Sequence, residues 1–416
     1  MDSEIKKRIA QIRRGEVPEG YKKTKYGILP ADWTVYILGD CLSRIEKPVK
    51  VNPNEWYTQI GIRSHGKGLF YKEPVTGAEL GNKAVYWVQP NCFVLNIVFA
   101  WEQAIGKTSQ AEAGMIGSHR FPMYRPINDK IDIDYLIAYL LTKRGTDILE
   151  MASPGGAGRN RTLGQEHFLK SKVVFPSVVE QQKIAAILTT QDKVIELKEK
   201  RLAEKLRQKK YLMQQLLTGR KRLPSYWGEW NFPKAKEIFQ NVTDKNHKGD
   251  LMVLSATQDK GIMPRNEVDI DIKYDVSSLA NYKKVCQGNF VISLRSFQGG
   301  IEYSAYTGLV SPAYTVLSSK KELCDEYYKQ YFKSADFINR LNVAVYGIRD
   351  GKQISFEDFG QLRIPYPPIN EQTAIAQVLS AADHEISLLR QDIEQEKQKK
   401  KALMQLLLTG IVRVCP

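Results

Sequence analysis

Two long stretches of the chain repeat one pattern of apolar and polar positions. Apolar residues recur there at a spacing of seven: Leu188, Ile195 and Leu202 in the first stretch, and Leu379, Ile386 and Ile393 in the second. No proline or glycine lies between Glu180 and Thr218, or between Glu371 and Thr409. Such a seam is typical of coiled-coil helices, and an acidic start with a Thr-Gly end suits the two termini of a helix. The pattern therefore predicts two long helices.

These two stretches are copies of one another. Between positions 176–222 and 367–413, 19 of 47 residues are identical at a constant offset of 191, where ordinary residue usage would give roughly 3. In the first copy the identities include Pro176, Glu180, Gln181, Ile184, Ala185, Asp192, Leu216, Leu217, Thr218 and Gly219. Weaker similarities extend outward, where Leu29, Pro30 and Trp33 match Leu223, Pro224 and Trp227. An internal duplication is the economical interpretation.

The duplication divides the chain into four segments. Globular segments at 1–175 and 223–366 alternate with helical segments at 176–222 and 367–416. Short runs bounded by Gly, Pro and Asn indicate a mixed α/β fold, with strands near 84–88, 93–97, 289–294 and 314–317 and helices near 135–149 and 326–341.

The length of the repeated helices bears on how the segments are arranged. At about 1.5 Å per residue each helix spans roughly 54 Å, which is more than one core can cover. We therefore expect the helices to pair antiparallel as a coiled coil, holding two globular units apart with pseudo-twofold symmetry. An ordinary helical hairpin is the alternative.

Composition and charge favour a cytoplasmic protein with an anionic partner. Hydrophobic residues make up 43% of the chain and charged residues 26%, and the formal net charge is +15. Positions 1–179 hold 25 basic and 18 acidic residues and positions 180–222 hold 12 and 5, whereas 223–370 hold 18 and 17. No apolar run is long enough to cross a bilayer, and the first residues do not form a secretory signal. The 5 scattered cysteines suit reduced, structural roles.

Motifs for catalysis or cofactor binding fail on closer reading. Gly106-Lys107-Thr108 has the end of a phosphate loop, but Trp101 stands where that loop requires its first glycine. The glycine-rich run at 155–158 lacks the strand and helix that flank a dinucleotide loop. The histidines form no local ligand set with Cys, Asp or Glu. We therefore expect no catalytic residue, cofactor site or metal site in this chain.

Basic and amide side chains gather in four loops of the globular segments. Such groups can contact base edges in the major groove of DNA, and small neighbours permit a close approach. The candidate DNA contacts are Arg63, Ser64, His65, Lys67, Arg159, Asn160 and Arg161 in the first segment, and Arg295, Ser296, Gln298, Arg349, Lys352 and Gln353 in the second. A solvated surface charge is the alternative interpretation of each single residue.

The repeated motif resembles that of a known family. Pro-x-x-x-Glu-Gln-x-x-Ile-Ala-x-x-Leu, followed by Leu-Met-Gln-x-Leu-Leu-Thr-Gly, occurs twice and is similar to conserved regions of type I restriction-modification specificity subunits. The opening segment from Tyr21 to Trp33 is similar to the family's domain-entry segment. The resemblance covers nearly the whole chain, though only by architecture in the globular segments. It implies two target-recognition domains that each read half of a split DNA site, and helices that set the gap between the halves.

The resemblance also implies partners. Double-stranded DNA would be bound together with two copies of a methyltransferase subunit, which binds S-adenosylmethionine. A restriction subunit, where present, uses ATP and Mg. The seam residues would hold the helices together, and candidate contacts for the methyltransferase are the flanking long side chains Leu206, Tyr211, Met213, Leu388, Leu389 and Met404. No membrane partner is expected.

The first helix is basic, whereas its copy is not. We predict that Lys205, Arg207, Lys209 and Lys210 lie along the DNA between the half-sites and add affinity that does not depend on base sequence. Two other classes of protein remain as alternatives. One is the recognition part of a fused restriction-methylase, and the other is a helical scaffold without a role on DNA.

Overall fold

The computed structural model describes residues 3–155, 161–258, 260–268, 276–345 and 354–414. The chain forms two compact units, of which the first holds residues 1–198 with 393–416 and the second holds residues 199–392. The boundary between the units falls inside both long helices, so each helix contributes one segment to each unit. Within the described ranges, no helix is long and apolar enough to span a membrane.

Two helices of 39 residues, Val178–Leu216 and Ile369–Leu407, confirm the long helices predicted from the sequence. We call them the central helix and the distal helix. Their first residues lie 191 positions apart, and so do their last residues. Gly219 and Gly410, which follow the helix ends, have φ angles of +72° and +70°. This left-handed conformation commonly terminates helices and favours glycine.

The seam between the two helices is buried. Leu188, Ile195, Leu379, Ile386 and Ile393 are at most 8% exposed, and Leu202 is half-buried. Ion pairs link the helices as Asp192–Lys400 and Lys198–Glu396 in the first unit, and as Lys205–Glu385 and Lys209–Asp383 in the second. In each unit, residues that lie further along the central helix pair with residues that lie earlier along the distal helix. The paired segments are therefore antiparallel.

The first unit is built on a four-stranded antiparallel sheet with the strand order Ile105–Lys107, Phe93–Leu95, Met123–Pro126 and Leu42–Ile45. Its other strands are Tyr21–Thr24, Gly27–Pro30, Thr34–Ile37, Trp56–Tyr57, Ile60–Ile62, Leu69–Tyr71, Val75–Thr76, Val85–Trp87, Ile116–Ser118 and Lys172–Phe175. Its shorter helices are Ser3–Arg13, Gly77–Leu80, Ile133–Leu140, Lys143–Met151 and Gln165–Leu169. Phe93, Leu136 and Phe168 share one core with Leu188 and Leu407, so the long helices complete the hydrophobic core of this unit.

The second unit repeats this plan. Its four-stranded antiparallel sheet has the order Phe239–Val242, Thr315–Ser319, Phe290–Ile292 and Glu302–Tyr303. Its other strands are Leu254–Thr257, Gly261–Pro264, Lys283–Val285 and Gly308–Val310, and its shorter helices are Ala235–Ile238, Ser296–Gly299, Asp325–Tyr331, Ala335–Val345 and Phe356–Gln361. Phe239, Phe290 and Tyr328 share one core with Leu217 and Leu379, so the helices complete this core as well. Mixed α/β units in a duplicated arrangement confirm the predicted fold class.

The predicted strands are confirmed, but the two predicted shorter helices are each divided in two. The break follows Leu140 in the first unit and Tyr331 in the second. Thr142 Oγ1 accepts a hydrogen bond from Gly145 N at 3.3 Å, and Ser334 Oγ accepts one from Phe337 N at 3.3 Å. A capping hydroxyl begins a new helix where it satisfies the free N–H groups of the first turn. The apolar pattern runs across both breaks, which is why the sequence predicts one helix.

The tryptophan that matches Trp33 is Trp230 rather than Trp227, which corrects the sequence match. A Cβ placed on Gly410 would lie 2.9 Å from the Trp33 ring, and one on Gly219 would lie 3.0 Å from the Trp230 ring. Trp33 and Trp230 are 2% and 9% exposed, whereas Trp227 is 85% exposed. The segment between Pro224 and Trp230 is 3 residues longer than the one between Pro30 and Trp33, so a match without gaps selects the wrong residue.

Candidate functional site

An arginine after the distal helix binds a buried carboxylate at the start of the central helix. Arg413 donates from Nε to Glu180 Oε1 and from Nη2 to Glu180 Oε2, both at 2.8 Å. It also donates to both carboxylate oxygens of Asp32, at 2.9 and 2.7 Å. Glu180 is 2% exposed. The pKa of Asp32 is lowered, chiefly by its hydrogen bonds from Arg413, and Glu180 and Asp32 together raise the pKa of the arginine.

The second unit contains the same arrangement 191 residues away. Arg222 donates from Nε to Glu371 Oε1 at 2.5 Å and from Nη2 to Glu371 Oε2 at 2.6 Å. Glu371 is fully buried and also accepts a hydrogen bond from Trp230 Nε1 at 3.0 Å. In place of Asp32, the second unit therefore uses a tryptophan as the additional partner.

Sequence reasoning assigned Glu180 and Glu371 only a favourable position at a helix N-terminus and missed both ion pairs. A signal was present, because Arg222 and Arg413 belong to the 19 identities that the two copies share. Buried charges need a partner of opposite sign. Once burial of the helix start is inferred, the duplicated arginine is the natural candidate.

Further ion pairs fix the register of the two helices within each unit. Glu396 accepts hydrogen bonds from Lys198 Nζ at 2.8 Å and from Gln191 Nε2 at 2.6 Å. These two donors lower the pKa of Glu396 to about 2. In the second unit, the Lys205 ammonium lowers the pKa of Glu385 in the same way.

The basic residues predicted to follow the DNA lie on two different faces of the central helix. Lys205 Nζ lies 2.9 Å from Glu385 Oε2, and Lys209 Nζ lies 2.5 Å from Asp383 Oδ1. These two lysines therefore serve the pairing of the helices, which corrects the assignment of all four residues to one function. Arg207 and Lys210 are exposed and keep the predicted role of DNA contacts.

The first predicted reading loop is bonded largely to its own unit. Arg63 Nη1 donates to the Leu69 carbonyl at 2.7 Å, and its guanidinium lies 4.9 Å from the centre of the Phe70 ring. Ser64 Oγ donates to Glu102 Oε2 at 2.9 Å. Two other candidates in this loop, His65 and Lys67, are exposed. The prediction of a base contact is therefore best supported for His65 and Lys67.

The other predicted reading loops are described in part. Arg161 lies 5.5 Å from the centre of the Trp101 ring. Ser296 is 1% exposed and its Oγ accepts a hydrogen bond from Ser293 N at 2.9 Å, so it holds its own turn and does not face a ligand, contrary to expectation. Arg295 and Gln298 are exposed. Five candidates lie outside the described residues: Arg159, Asn160, Arg349, Lys352 and Gln353.

The candidate docking residues divide into exposed and internal groups. Leu206, Tyr211 and Leu388 are 40%, 48% and 51% exposed. Leu389 is 9% exposed, which corrects its assignment to a partner surface. The remaining two, Met213 and Met404, pack partly against the cores of their own units.

The phosphate-loop fragment found in the sequence lies in a strand. Ile105–Lys107 forms the edge strand of the first sheet, and Lys107 Nζ pairs with Asp134 at 2.6 Å. Thr108 is buried and donates to the Gln89 carbonyl at 2.6 Å. This geometry does not cradle a phosphate. In the described part of the chain, no group of three or more His, Cys, Asp or Glu residues is placed to hold a metal ion.

Comparison with known proteins places these features in a family context. The family model described as type I restriction modification DNA specificity domain matches the chain twice, at residues 49–207 and 228–398. The type I restriction enzyme MjaVIII specificity subunit of Methanocaldococcus jannaschii is 23% identical over 427 residues. That alignment covers 95% of this chain and 96% of the relative.

Two solved structures have the same fold. The HsdS subunit from Thermoanaerobacter tengcongensis matches with a TM-score of 0.52 at 17% identity, covering 92% of this chain and 98% of that one. A chain solved in work on complex assembly and conformational transition of the type I R-M system matches with a TM-score of 0.59 at 16% identity, covering 92% and 99%.

Proposed function

Because this chain belongs to the type I restriction modification DNA specificity family, we propose that it is the subunit that selects the DNA sequence on which such an enzyme acts. One observation carries the proposal: the family model matches twice, once for each globular segment, and the two units share one strand order. Two equivalent reading units in one chain suit a DNA site made of two parts. The residues provide binding groups, and the chemistry of methylation or cleavage would be supplied by other subunits.

Different loop chemistry in the two units would give each unit its own half-site. Among the exposed candidates, those with no side-chain role described above are His65 and Lys67 in the first unit, and Arg295 and Gln298 in the second. Side chains of these types hydrogen-bond base edges in the major groove. Since the two sets differ, we expect the two half-sites to differ in sequence.

The register of the helix pair would set the number of unspecified base pairs between the half-sites. Buried apolar residues and ion pairs hold that register in both units. A rigid pairing suits a fixed gap, because recognition modules on DNA are placed by the helical repeat of the duplex. Exposed Arg207 and Lys210 would contact phosphates along the gap and add affinity independent of base sequence.

The partners we infer are double-stranded DNA, two copies of a methyltransferase subunit and, where the system includes one, a restriction subunit. The duplication of the helices suits two copies of one partner. Leu206, Tyr211 and Leu388 are exposed apolar side chains on these helices and would contact the methyltransferase. Such an enzyme acts on DNA inside the cell, so we infer a cytoplasmic location.

Selection from a random duplex library tests the proposal. The full chain is co-expressed with the methyltransferase subunit, and the complex is used to enrich duplexes. We expect the enriched sequences to share two short defined runs separated by a constant number of undefined positions. The methyltransferase subunit alone is the control and should enrich nothing. No enrichment by the complex, or enrichment of one continuous run, would contradict the proposal.

A further inference from the structure

A carboxylate-free concavity of about 680 Å³ lies on the first unit, apart from the loops that the sequence singled out. It opens between the hairpin that carries Lys72, the segment before Val85, the segment after Leu95 and the turn after Ser118. Asp and Glu are absent from its described lining. A surface of this size without acidic groups favours an anionic ligand.

The rim of the concavity is cationic. Lys72, Lys83 and Arg120 line it together with His119, and all four side chains are exposed. None of the three permanent cations forms an ion pair with a described carboxylate. Their charge is therefore available to phosphate groups, which lysine and arginine commonly bind.

The floor of the concavity is aromatic and polar. Asn96 is only 9% exposed, and its side-chain oxygen accepts a hydrogen bond from Val98 N at 3.1 Å. Its amide nitrogen makes no hydrogen bond to a described residue, although the side chain lines the cavity. Phe99 and Phe121 form apolar walls beside it. The Asn96 amide nitrogen is not among the buried unsatisfied groups, so this donor is open to the cavity and can hydrogen-bond an acceptor on a ligand.

The backbone holds the turn at the rim firmly in place. His119 N donates to the Ala84 carbonyl at 3.1 Å, and Ile97 N donates to the Arg120 carbonyl at 3.0 Å. Phe121 N donates to the Ser118 carbonyl at 2.8 Å, which closes the turn itself. The side chains of His119 and Arg120 are thus presented from a fixed backbone, which lowers the entropic cost of binding.

The second unit has a basic residue at the place in its hairpin that is equivalent to Lys72. Lys72 N donates to the Gln59 carbonyl at 2.9 Å, and Arg265 N donates to the Val253 carbonyl at 3.0 Å. Both cations directly follow the second strand of the equivalent hairpin, Leu69–Tyr71 or Gly261–Pro264. A cation common to both units suits contact with the phosphate backbone, which is the same in any DNA sequence.

Positions on the floor and in the turn differ between the units. Asn96 follows the strand Phe93–Leu95, and Ser293 follows the equivalent strand Phe290–Ile292. His119 follows Ile116–Ser118, whereas Ser311 follows Gly308–Val310. Different polar groups at equivalent places suit two units that read different bases.

Resting on the proposed function, we propose that this concavity is the surface through which the first unit contacts its half-site. Lys72 and Lys83 bind backbone phosphates there, and Arg120 and Asn96 read base edges. Arg63 and Ser64 then act mainly as supports, since both side chains are bonded within the unit, while exposed His65 and Lys67 of the same loop keep their proposed base contacts.

Binding measurements on three variants of the full chain, each in complex with the methyltransferase subunit, test the proposal. The duplex is the one that the wild-type complex selects from a random library, and companion duplexes carry a scrambled first or second half-site. Lys72→Ala with Lys83→Ala should weaken binding to every duplex alike and reduce the salt slope by about 1.8, since each phosphate contact contributes about 0.9. Arg120→Ala should reduce the preference for the intact over the scrambled first half-site by about tenfold. The preference for the intact second half-site should not change. Arg120→Lys should retain only part of the preference for the first half-site.

Asn96→Asp provides a variant of nearly the same shape. It retains an oxygen acceptor for Val98 N but places a negative charge on the floor, so binding to all duplexes should fall. Lys143→Ala is the matched control, because Lys143 is exposed and already paired with Asp147 at 2.5 Å. Melting curves check that each variant folds.

The outcomes separate this inference from the proposed function. If the wild-type complex selects no duplex, the proposed function fails and the inference falls with it. If the wild-type complex selects a split site but the Lys72, Lys83 and Arg120 variants bind like Lys143→Ala, only the inference is overturned. Loss of preference in the second half-site on Arg120→Ala would overturn it as well.

Discussion

Arg413 and Glu180 form a bidentate ion pair across 233 positions of the chain, with both hydrogen bonds at 2.8 Å. Arg222 and Glu371 form the equivalent pair in the second unit. Each pair joins the segment after one long helix to the start of the other. The duplication has therefore preserved a buried contact between two copies, in addition to the sequence of each copy.

Loss of the Arg413 guanidinium should destabilise the first unit strongly. Arg413→Ala leaves Glu180 buried without its partner, and breaking a buried pair typically costs about 3 kcal/mol or more. The free energy of unfolding, measured by urea denaturation with circular dichroism, should fall by about that amount. Arg14→Ala is the control, because the Arg14–Glu16 pair is exposed at 65% and 51% and should change stability by under about 1 kcal/mol. Equal effects of the two variants would refute the assigned role of Arg413.

Gly410 is required both for its backbone conformation and for space. Gly410→Ala places a methyl group within 2.6 Å of Pro30 and 2.9 Å of Trp33 at a φ of +70°. Gly15→Ala separates the two effects, since Gly15 has a φ of +78° but nothing within 4 Å of the added Cβ. We expect Gly15→Ala to cost about 1 kcal/mol from backbone strain and Gly410→Ala about 1 to 3 kcal/mol more from overpacking. Similar unfolding free energies for both variants would show that the tryptophan contact does not matter.

Acid should weaken the helix pair of the first unit. The pKa of Glu396 is lowered from 4.5 to about 2 by Lys198 and Gln191. A carboxylate with a depressed pKa contributes stability that is present above its unfolded pKa and is lost as the pH falls toward the folded one. The unfolding midpoint should therefore decline between about pH 5 and pH 2, and Glu396→Gln should make that decline shallower. If Glu396→Gln has the same pH dependence of the unfolding midpoint as the wild type, this ion pair does not contribute to acid sensitivity.

The two faces of the central helix should respond differently to substitution. Arg207→Ala with Lys210→Ala removes exposed charges, so the salt slope of DNA binding should decrease by about 1.8 while the melting temperature stays nearly constant. Lys205→Ala with Lys209→Ala removes the partners of Glu385 and Asp383, so the melting temperature should fall. If the Lys205 and Lys209 double variant changes the salt slope as much as the Arg207 and Lys210 double variant, our assignment of different roles to the two helix faces is wrong.

The two long helices could be predicted because their signals are local and repeated. Leu188 and Leu379 lie in uninterrupted seven-residue patterns, and the constant offset of 191 fixes where both helices begin and end. The break at Thr142 could not be predicted in this way, because a capping hydroxyl competes with a helix without disturbing the apolar pattern. The equivalence of Trp230 with Trp33 could not be predicted, because an insertion of 3 residues shifts Trp230 out of register.

The candidate site was harder to predict, because its residues meet only in the folded unit. Arg63 and Ser64 have the right chemistry for DNA but are bonded to Leu69 and Glu102, which no local pattern reveals. Lys72, Asn96 and Arg120 lie far apart in the sequence and share no motif, yet they line one concavity. Charge and residue type indicate a class of ligand, whereas the tertiary fold decides which residues can reach it.

Methylome sequencing of cells with and without the gene tests the central claim most directly. The account predicts that deletion removes methylation at one split sequence, and that Arg120→Ala in the chromosomal gene relaxes the first half of that sequence while the second half stays intact. A methylation pattern that is the same with and without the gene, or a lost site that is one continuous sequence, would contradict the account of two reading units.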